Sequence, residues 1–438
     1  MKDIEKYLLD LVEQNSTVVV ACSGGPDSMC LLKLLLNIRD KKNIKIVVAH
    51  VNHNVRKESN NEKLEVEKYC NCNNIIFEYL LIEKYDSDNF HDYARNIRYN
   101  FFDKTVKKYK AKYLMTAHHG DDLMETILMR IVRGSTLRGY AGFNRESTYN
   151  GYMLVRPLIT KTKKEIQEYM DNNGLWYAID ESNFKDVYTR NRYRKYILPK
   201  LKDENPNVHK KFLQFSNKIS EVSNFFEKYI DARYNEVKLD NKLDISLLIK
   251  EEKVVIDNIL SRYLSEYYKN NIYLINDRNL ATIYNCLFNK KSSVTIDLPG
   301  KYKFIKSYNY CYILLNDEHK LYKYELCDTV DIAGYGKIKT LKDSKESDNN
   351  IIYLNSSDLK LPLYVRNRKK GDRMFVKNMT GSKKIKDIFI NCKVPIDKRD
   401  DYPIVVDSND EVIWLPGLKK SKFDRKNTGK YDIILKYN

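Results

Sequence analysis

The first two hundred residues alternate short apolar runs with longer amphipathic stretches. The apolar runs predict strands at 18–22, 44–52, 75–82 and 113–118, because they are short and end at turn-forming residues. The stretches between them have helical periodicity at about 28–39, 58–72, 87–108 and 121–133. This pattern predicts an α/β fold, a doubly wound parallel sheet with helices on both faces. A ligand is then expected at the carboxyl ends of the strands.

The pattern changes after residue 199. Before that point, Thr162 and Glu165 have the spacing of a capping box, and Gly174 ends a predicted helix at 162–173. Residues 207–269 are charged and helically periodic, whereas 293–315 alternate like strands around a Pro-Gly turn. The polar segment 342–350 is the predicted linker. We therefore predict three domains: an α/β domain at 1–205, a mostly helical middle domain at 206–340, and a small, basic, strand-rich domain at 350–438.

The net charge of the chain indicates the class of molecule that it binds. The 438-residue chain has a formal net charge of +18, and clustered Lys and Arg gain affinity for polyanions by releasing counterions. From residue 363 to the end, 19 Lys and Arg stand against 10 Asp and Glu. We therefore expect a polyanionic partner, with the C-terminal segment as its main electrostatic contact.

Other compositional features narrow the class of protein. No apolar run approaches the roughly 18–20 residues that span a bilayer, and the first 15 residues are unlike a signal peptide, so we expect a cytoplasmic location. The eight cysteines include no Cys-x-x-Cys pair. They predict reduced, packed thiols and no metal cluster.

The first strand ends in a loop of unusual composition. In the stretch VVVACSGGPDSMCLL, the strand stops and a helix begins across Ser23, Gly24, Gly25, Pro26, Asp27 and Ser28. Free N–H groups at a helix N-terminus attract anions, and glycines let phosphate oxygens approach the backbone. Asp27 would repel a phosphate unless Mg²⁺ lay between them. The loop therefore predicts a site for nucleotide phosphates and Mg²⁺, with an ordinary capped turn as the alternative. It has neither the Rossmann nor the Walker spacing.

Polar residues also follow the second and fourth strands. The first group contains His50, Asn52 and His53, and the second contains His118, Asp121, Asp122 and Glu125. The acids could hold Mg²⁺ or steer an amine, and an imidazole could stabilise phosphate charge or accept a proton. Helix capping is the alternative for the acids, and His119 is expected to be structural.

Several arginines are candidate phosphate contacts. Arg190 and Arg194, with Asn191, could clamp a phosphate because guanidinium groups match its oxygens in a bidentate way. Arg95 and Arg98 fall off the apolar stripe of their predicted helix. A solvated charged helix is the alternative for the first group.

These motifs resemble known families. Ser-Gly-Gly-x-Asp-Ser after the first strand resembles the signature of the N-type ATP pyrophosphatases, the PP-loop family, in which it grips the pyrophosphate end of ATP. Other motifs extend the likeness to the whole chain, which is similar to the tRNA(Ile)-lysidine synthetases: HVNHNVR at 50–56, AHHGDDLMET at 117–126, DESN at 180–183, YTRNRYR at 188–194, GDR at 371–373 and KVP at 393–395.

The resemblance implies a two-step reaction. The oxygen at C2 of the wobble cytidine in a CAU-anticodon tRNA(Ile) attacks the α-phosphorus of ATP, and pyrophosphate leaves. Free L-lysine then attacks C2 and displaces AMP, which leaves lysidine and changes the codon read from AUG to AUA. The implied cofactors are ATP, as substrate, and Mg²⁺, and related enzymes suggest a homodimer.

Residues and resemblance together give the predicted site. The predicted catalytic residues are Asp27, His118, Asp121, Asp122 and Glu125, and Asp27 is also the predicted Mg²⁺ ligand. The predicted ATP-binding residues are Ser23, Gly24, Gly25, Pro26, Asp27, Ser28, His50, Asn52, His53 and Arg98. The predicted tRNA contacts are Arg56, Arg95, Arg133, Arg190, Asn191, Arg194, Arg366, Arg368 and Arg373.

Three rival functions are weighed against this one. A PP-loop tRNA thiolase needs catalytic or cluster cysteines, and the missing Cys-x-x-Cys pair disfavours the most similar of them. A glutamine-dependent synthetase needs an amidotransferase nucleophile, for which the sequence has no motif. A catalytically inert tRNA-binding protein is disfavoured by the intact Ser23, Asp27 and Ser28.

Overall fold

The chain forms two compact units, Met1–Glu227 and Lys228–Asn438. A computed structural model describes residues 1–52, 59–82, 90–178, 189–316, 321–425 and 430–438, without the side chains of 90–92. Within these ranges, every helix is too short or too polar to span a membrane.

The N-terminal unit alternates strands and helices. Its elements are α1 (Lys2–Leu11), β1 (Thr17–Ala21), α2 (Pro26–Lys42), β2 (Lys45–Asn52), α3 (Ser59–Cys72), β3 (Ile76–Leu81), α4 (Phe90–Lys108), β4 (Tyr113–Met115), α5 (Gly120–Arg133), α6 (Leu137–Tyr140), β5 (Glu146–Tyr149), β6 (Tyr152–Val155), a 3₁₀ helix (Pro157–Thr160), α7 (Lys163–Asn172), α8 (Thr189–Arg192), a π-helix (Tyr193–Ile197) and α9 (Leu198–Glu204). The long helix α10 (Val208–Val237) begins in this unit. The predicted elements are all present, with ends that differ by a few residues.

One six-stranded sheet organises this unit, in the order β3-β2-β1-β4-β6-β5. All neighbours pair in parallel except β5 and β6, an antiparallel hairpin that the sequence pattern did not predict. The chain builds outward from β1 through β2 to β3 and then returns to β4. The strand order therefore reverses between β1 and β4, where open α/β sheets bind ligands.

Both faces of the sheet are buried. Val18 and Val20 pack with apolar residues of α1, α2 and α7, while Val19 faces Phe102 of α4 on the other side. Successive side chains of a strand point to opposite faces, so a strand covered on both sides must be apolar throughout. This confirms the predicted parallel, doubly wound sheet.

The second unit contains the end of α10 and antiparallel sheets. Its further elements are β7 (Lys238–Leu239), β8 (Lys242–Asp244), α11 (Ile245–Leu248), α12 (Lys253–Tyr268), a 3₁₀ helix (Lys269–Leu274), α13 (Asp277–Leu287), β9 (Ser293–Leu298), β10 (Tyr302–Ser307), β11 (Tyr310–Leu315), β12 (Lys323–Glu325), β13 (Thr329–Ile332), β14 (Gly336–Leu341), β15 (Ile351–Leu354), a 3₁₀ helix (Ser356–Asp358), β16 (Tyr364–Arg366), β17 (Arg373–Met374), β18 (Lys383–Lys384), α14 (Ile385–Asn391), a 3₁₀ helix (Ile396–Lys398), β19 (Ile404–Val406), β20 (Val412–Leu415), β21 (Lys419–Lys420) and β22 (Ile433–Tyr437). The helical middle and the strand-rich C-terminal region are confirmed.

The predicted linker at 342–350 is wrong. This segment joins β14 to β15, and both strands pair antiparallel with β22 in one four-stranded sheet. Its polar composition is that of an exposed connection between strands, which local sequence does not distinguish from a linker. The division into three domains stays a prediction.

Arg366 is a structural residue of the second unit. It is 1% exposed, and its guanidinium donates to Asp372 at 2.8 and 3.0 Å and to Asp410 Oδ1 at 2.9 Å. Burial lowers the pKa of Arg366, but the two carboxylates more than compensate and raise it. This burial argues against the predicted tRNA contact, because a guanidinium held by two carboxylates inside the protein is not presented to a phosphate.

Replacing Arg366 with alanine is expected to destabilise the second unit by about 3 kcal/mol, since it removes a buried guanidinium and leaves the largely buried carboxylate of Asp372 without its cation. Denaturant unfolding followed by Trp414 fluorescence, in a Trp176→Phe background, reports on this unit because the chain has two tryptophans and Trp414 is buried. Arg373→Ala, at an exposed guanidinium that binds Ser382, is the control and should change stability by less than about 0.5 kcal/mol. Equal unfolding midpoints for both variants would contradict the structural role.

Candidate active site

Hydrogen bonds within the loop after β1 hold it in one conformation. The Ser23 amide donates to Ser28 Oγ at 3.2 Å, and Ser28 Oγ donates to the Gly25 carbonyl at 2.9 Å. Gly24 has φ +86°, and a Cβ at this position would lie 3.1 Å from a methyl group of Val66. Glycine is therefore required by both the backbone conformation and the packing. The loop leads straight into the N-terminus of α2, whose free N–H groups favour phosphate oxygens.

Asp27 is paired with a lysine that the sequence analysis did not single out. Lys163 Nζ donates to both carboxylate oxygens of Asp27, at 2.8 and 2.7 Å, across 136 positions of the chain. Lys163 is the first residue of α7, and a cation is electrostatically unfavourable at a helix N-terminus. That unfavourable position was the available sign that Lys163 serves a purpose other than helix stability.

His119 lies between two acids. It is the N-cap of α5, as a structural role predicts, and its amide donates to Asp122 Oδ2 at 3.0 Å. Its Nε2 also lies 3.5 Å from Asp122 Oδ2 and 3.9 Å from Asp27 Oδ1. The buried imidazole thus connects the phosphate loop to the start of α5, which the sequence analysis missed.

Asp121 points toward α7 and α9. Its Oδ2 accepts hydrogen bonds from the Lys163 amide at 3.1 Å and from Lys202 Nζ at 2.8 Å. Its buried Oδ1 has no hydrogen-bond partner among the described residues. Asp121 therefore fixes the N-terminus of α7 and with it the backbone of Lys163, so its observed contacts are those of a positioning residue.

Asp122 and Glu125 form a neutral cluster with two arginines. Glu125 is fully buried, and it accepts from Arg190 Nε at 2.6 Å and from Arg194 Nε at 2.8 Å. Both guanidiniums also donate to Asp122 Oδ1, at 3.2 Å. Arg190 and Asn191 lie on α8, and Arg194 lies on the following π-helix.

The electrostatics of this cluster favour charged groups despite burial. Burial would raise the pKa of Asp122, but its electrostatic interactions with His119, Arg190 and His118 outweigh this effect and hold the pKa of Asp122 well below its usual value. Burial also acts on Arg194 and lowers its pKa, but Glu125 and Asp122 raise this pKa by more. The pKa of Arg194 is therefore above its usual value. The two predicted phosphate clamps are thus bound to protein carboxylates at the site, rather than lying on a solvated helix face.

His118 is partly buried beside this cluster. Its Nδ1 lies 2.9 Å from Thr116 Oγ1, and its ring centroid lies 5.3 Å from that of Phe143. Burial lowers the pKa of His118 to about 4, and the cations Arg156, Arg190 and Arg98 add to the effect against the opposing charge of Asp122. The imidazole is therefore neutral at pH 7 and able to accept a hydrogen bond.

His50 and Asn52 lie buried at the end of β2. The Nδ1 atom of His50 is 2.9 Å from the Cys22 carbonyl oxygen, and its ring stacks on Tyr79 with centroids 6.0 Å apart. Asn52 Nδ2 donates to Asn60 Oδ1 at 3.0 Å and to the Tyr79 hydroxyl at 3.2 Å. The His50 contact joins β2 to the start of the phosphate loop, and the Asn52 contacts join it to α3 and β3. The predicted ATP contact His53 and the predicted tRNA contact Arg56 lie outside the described residues.

The remaining predicted arginines differ in exposure. Arg95 is exposed and stacks 4.8 Å from the Tyr99 ring centroid, and Arg133 is exposed at the end of α5. Burial lowers the pKa of Arg98, and Arg95 and Arg190 lower it further by repulsion. In the second unit, Arg368 pairs with Asp400, and Arg373 donates to Ser382.

Comparisons with known proteins cover nearly the whole chain. A family profile described as a PP-loop domain matches residues 1–201, and one described as a TilS substrate C-terminal domain matches residues 363–434. The tRNA(Ile)-lysidine synthase of Bacillus cereus is 38% identical over 98% of this chain and 94% of that protein. The synthase of Geobacillus kaustophilus is 35% identical over 97% and 96%, respectively. The bifunctional protein TilS/HprT of Listeria innocua is 36% identical over 100% of this chain and 70% of its own length.

The partly buried position of His118, beside several arginines, predicts that its imidazole stays neutral across the working pH range. In NMR spectra of protein with labelled histidines, the His118 signal should not titrate between pH 8 and pH 5.5, because burial lowers its pKa to about 4. The chain has seven histidines, so the loss of one signal in His118→Asn gives the assignment. A His118 signal that titrates near pH 6.5, the ordinary value, would contradict this picture.

Proposed function

The chain belongs to the tRNA(Ile)-lysidine synthase family, and on this premise we propose how its residues divide the two steps of lysidine formation. The enzyme uses ATP to ligate lysine to the wobble cytidine of CAU-anticodon tRNA(Ile). The assignment of residues rests on one observation: His119 Nε2, at the start of α5, lies 3.9 Å from Asp27 Oδ1 in the phosphate loop. Activation and transfer would then occur at one edge of the sheet, so the adenylated cytidine need not move between steps.

In the first step, the C2 oxygen of the cytidine attacks the α-phosphorus of ATP and pyrophosphate leaves. Ser23, Ser28 and the N–H groups at the start of α2 would bind the pyrophosphate oxygens. Lys163 would transfer its hydrogen bonds from Asp27 to a phosphate as ATP enters. His50 and Asn52 would shape the wall of the ATP site.

Asp27 fits a magnesium ion that is shared with the nucleotide. No group of three His, Cys, Asp or Glu side chains in the described part of the chain could hold a metal by itself. Mg²⁺ is commonly bound by one or two carboxylates together with substrate phosphates, and Asp27 at the loop supplies one carboxylate. When bound there, the ion would neutralise charge on the departing pyrophosphate.

In the second step, the amine of free lysine attacks C2 and displaces AMP. Its ammonium group has a solution pKa of about 10.4, so the amine must lose a proton at the site. We assign lysine to the cluster of Asp122, Glu125, Arg190 and Arg194, where carboxylates match an ammonium group and guanidiniums match the lysine carboxylate. The site would bind the deprotonated amine, whose proton is left with solvent, and the neutral imidazole of His118 would accept a hydrogen bond from it.

Further assignments concern the tRNA. The exposed Arg95 and Arg133 would contact the anticodon arm near the site, and Arg368 and Arg373 would contact the body of the tRNA. Arg366 is left out of this set because it is buried in a structural ion pair. We also propose a homodimer.

Three of the four thiols of the N-terminal unit are buried in a way that does not favour the rival thiolase reaction, whereas Cys72 is exposed. Cys22, the cysteine beside the phosphate loop, is buried, and burial raises its pKa. Burial also raises the pKa of Cys30 and of Cys70, to about 12 in each case. Protonated, enclosed thiols are poor nucleophiles and poor metal ligands.

The decisive assay follows labelled lysine into unmodified tRNA(Ile) with a CAU anticodon, in the presence of ATP and Mg²⁺. We expect stable labelling and equimolar pyrophosphate release, with no labelling of elongator methionine tRNA as the control. Pyrophosphate release without lysine transfer would keep the adenylation step and overturn the ligation of lysine. If a folded protein that binds tRNA gives neither labelling nor pyrophosphate release, the result would favour an inert binding protein.

Lys163→Met tests the assigned exchange between Asp27 and phosphate. We expect the rate of pyrophosphate release to fall about 100-fold, as it does when a charged donor to the transition state is lost, with tRNA affinity unchanged. Lys164→Met is the matched control, since the neighbouring Lys164 side chain is 84% exposed and should tolerate the change. Equal rates for the two variants would contradict the assignment.

A further inference from the structure

A second pocket in the N-terminal unit lies beside the proposed active site. It has a volume of about 430 Å³, within the range of roughly 300–1,000 Å³ that small-molecule sites have. Residues of the segment 136–144, the end of β6 and one face of α10 form its walls. Its polar lining includes Arg130, Arg138, Arg156, Asn144, Ser220 and Asn224.

The charge of this pocket is uncompensated. Three arginines line it and no acidic residue does, and none of the three forms an ion pair with a carboxylate in the described part of the chain. Burial lowers the pKa of Arg130 and Arg156, and repulsion from Arg95 lowers both further, while Tyr99 opposes the shift at Arg156. A concentration of positive charge without protein carboxylates is a site for an anionic ligand.

The three guanidiniums have different tasks. Arg130 Nη1 donates to the carbonyls of Gly139 and Gly142, at 2.6 and 2.8 Å, and Arg156 Nη1 donates to the Asn144 carbonyl at 2.8 Å. Both therefore fix the walls of the pocket. Arg138 is exposed, and its guanidinium has no hydrogen bond or ion pair with any residue that the structure describes. It is the group best able to bind a phosphate directly.

Neutral polar groups complete the pocket. Ser220 Oγ donates to Asn144 Oδ1 at 2.8 Å, and Asn224 lies one helical turn further along α10. Hydroxyl and amide groups suit the 2′-hydroxyl of ribose and the polar edges of an unstacked base. The lining thus offers a phosphate contact and nucleoside contacts within the volume of one nucleotide.

Phe143 links the pocket to the active site. Its ring lies 5.3 Å from the His118 ring, and the Arg156 guanidinium lies 5.2 Å from its centroid on the pocket side. In the sheet, β1 and β4 lie between β6, whose end lines this pocket, and β2, where His50 and Asn52 lie. The pocket therefore adjoins the reacting base from the side opposite the predicted ATP wall.

We propose that this pocket binds the RNA nucleotide next to the modified cytidine, with Arg138 holding its phosphodiester and with Asn144, Ser220 and Asn224 contacting its ribose and base. The identity of the RNA rests on the proposed function. Anchoring the neighbouring nucleotide would pull the wobble base out of its loop and hold it against the α-phosphate of ATP.

The test compares tRNA(Ile) molecules in which one phosphodiester, on the 5′ or the 3′ side of the wobble cytidine, is a neutral methylphosphonate. We expect one of the two replacements to weaken binding to the wild-type protein about tenfold. Arg138→Ala should weaken binding of unmodified tRNA by a similar factor and reduce the salt dependence by about one phosphate. The Arg138→Ala protein should then bind the tRNA with the affinity-weakening methylphosphonate as tightly as it binds unmodified tRNA, because the contact is already lost.

Lys107→Ala is the charge-matched control, because Lys107 is exposed at the end of α4, at the opposite edge of the sheet. It should bind all three RNAs as the wild-type protein does. The proposal is overturned if the loss of affinity caused by Arg138→Ala multiplies with the loss caused by each of the two methylphosphonates. It is also overturned if Arg138→Ala binds unmodified tRNA as tightly as the wild-type protein does. A weaker affinity for ATP alone would assign the pocket to ATP. These RNA affinities are independent of lysine transfer, so a failure of the proposed reaction remains distinguishable.

Discussion

The parallel pairing of β1 with β4 is the constraint on which the site depends. These strands are adjacent, with Val20 opposite Met115, so the segments that follow them leave the sheet at the same edge. The helices α2 and α5 therefore begin side by side, and α7 begins nearby because β6 pairs in parallel with β4. Three helix N-termini converge, and each carries partial positive charge. The edge is thereby suited to phosphates, and it also stabilises the acids Asp27, Asp121 and Asp122.

Each acid at this edge is balanced by a cation from later in the chain. Lys163 pairs with Asp27, Lys202 with Asp121, and Arg190 and Arg194 with Asp122 and Glu125. Such pairing avoids the cost of buried charge without a partner, and it leaves the site close to neutral before the substrates enter. A charged substrate can then bind by exchanging one partner for another. We interpret the site as a set of replaceable ion pairs.

The arginines of this chain differ in burial, and burial decides what each of them can bind. Arg366 holds a fold together through two carboxylates, Arg130 and Arg156 shape a pocket through backbone carbonyls, and Arg138 is exposed with no described partner. Net charge correctly indicated a polyanionic partner, because counterion release depends on total charge density. Net charge does not tell which arginine is available, since that depends on the carboxylates and carbonyls that folding brings near it.

The sequence by itself determined the α/β alternation, the start of α2 at the phosphate loop, the capping box of α7 and the acids that follow β4. These features depend on neighbouring residues: an apolar run, glycines at a turn, a hydroxyl three residues before a glutamate. The tertiary structure decided the partner of each acid, the burial of Arg366, the β5–β6 hairpin and the place of 342–350 between two strands of one sheet. Lys163 and Asp27 are 136 positions apart, and such pairings are set by the packing of whole elements, which no local pattern encodes.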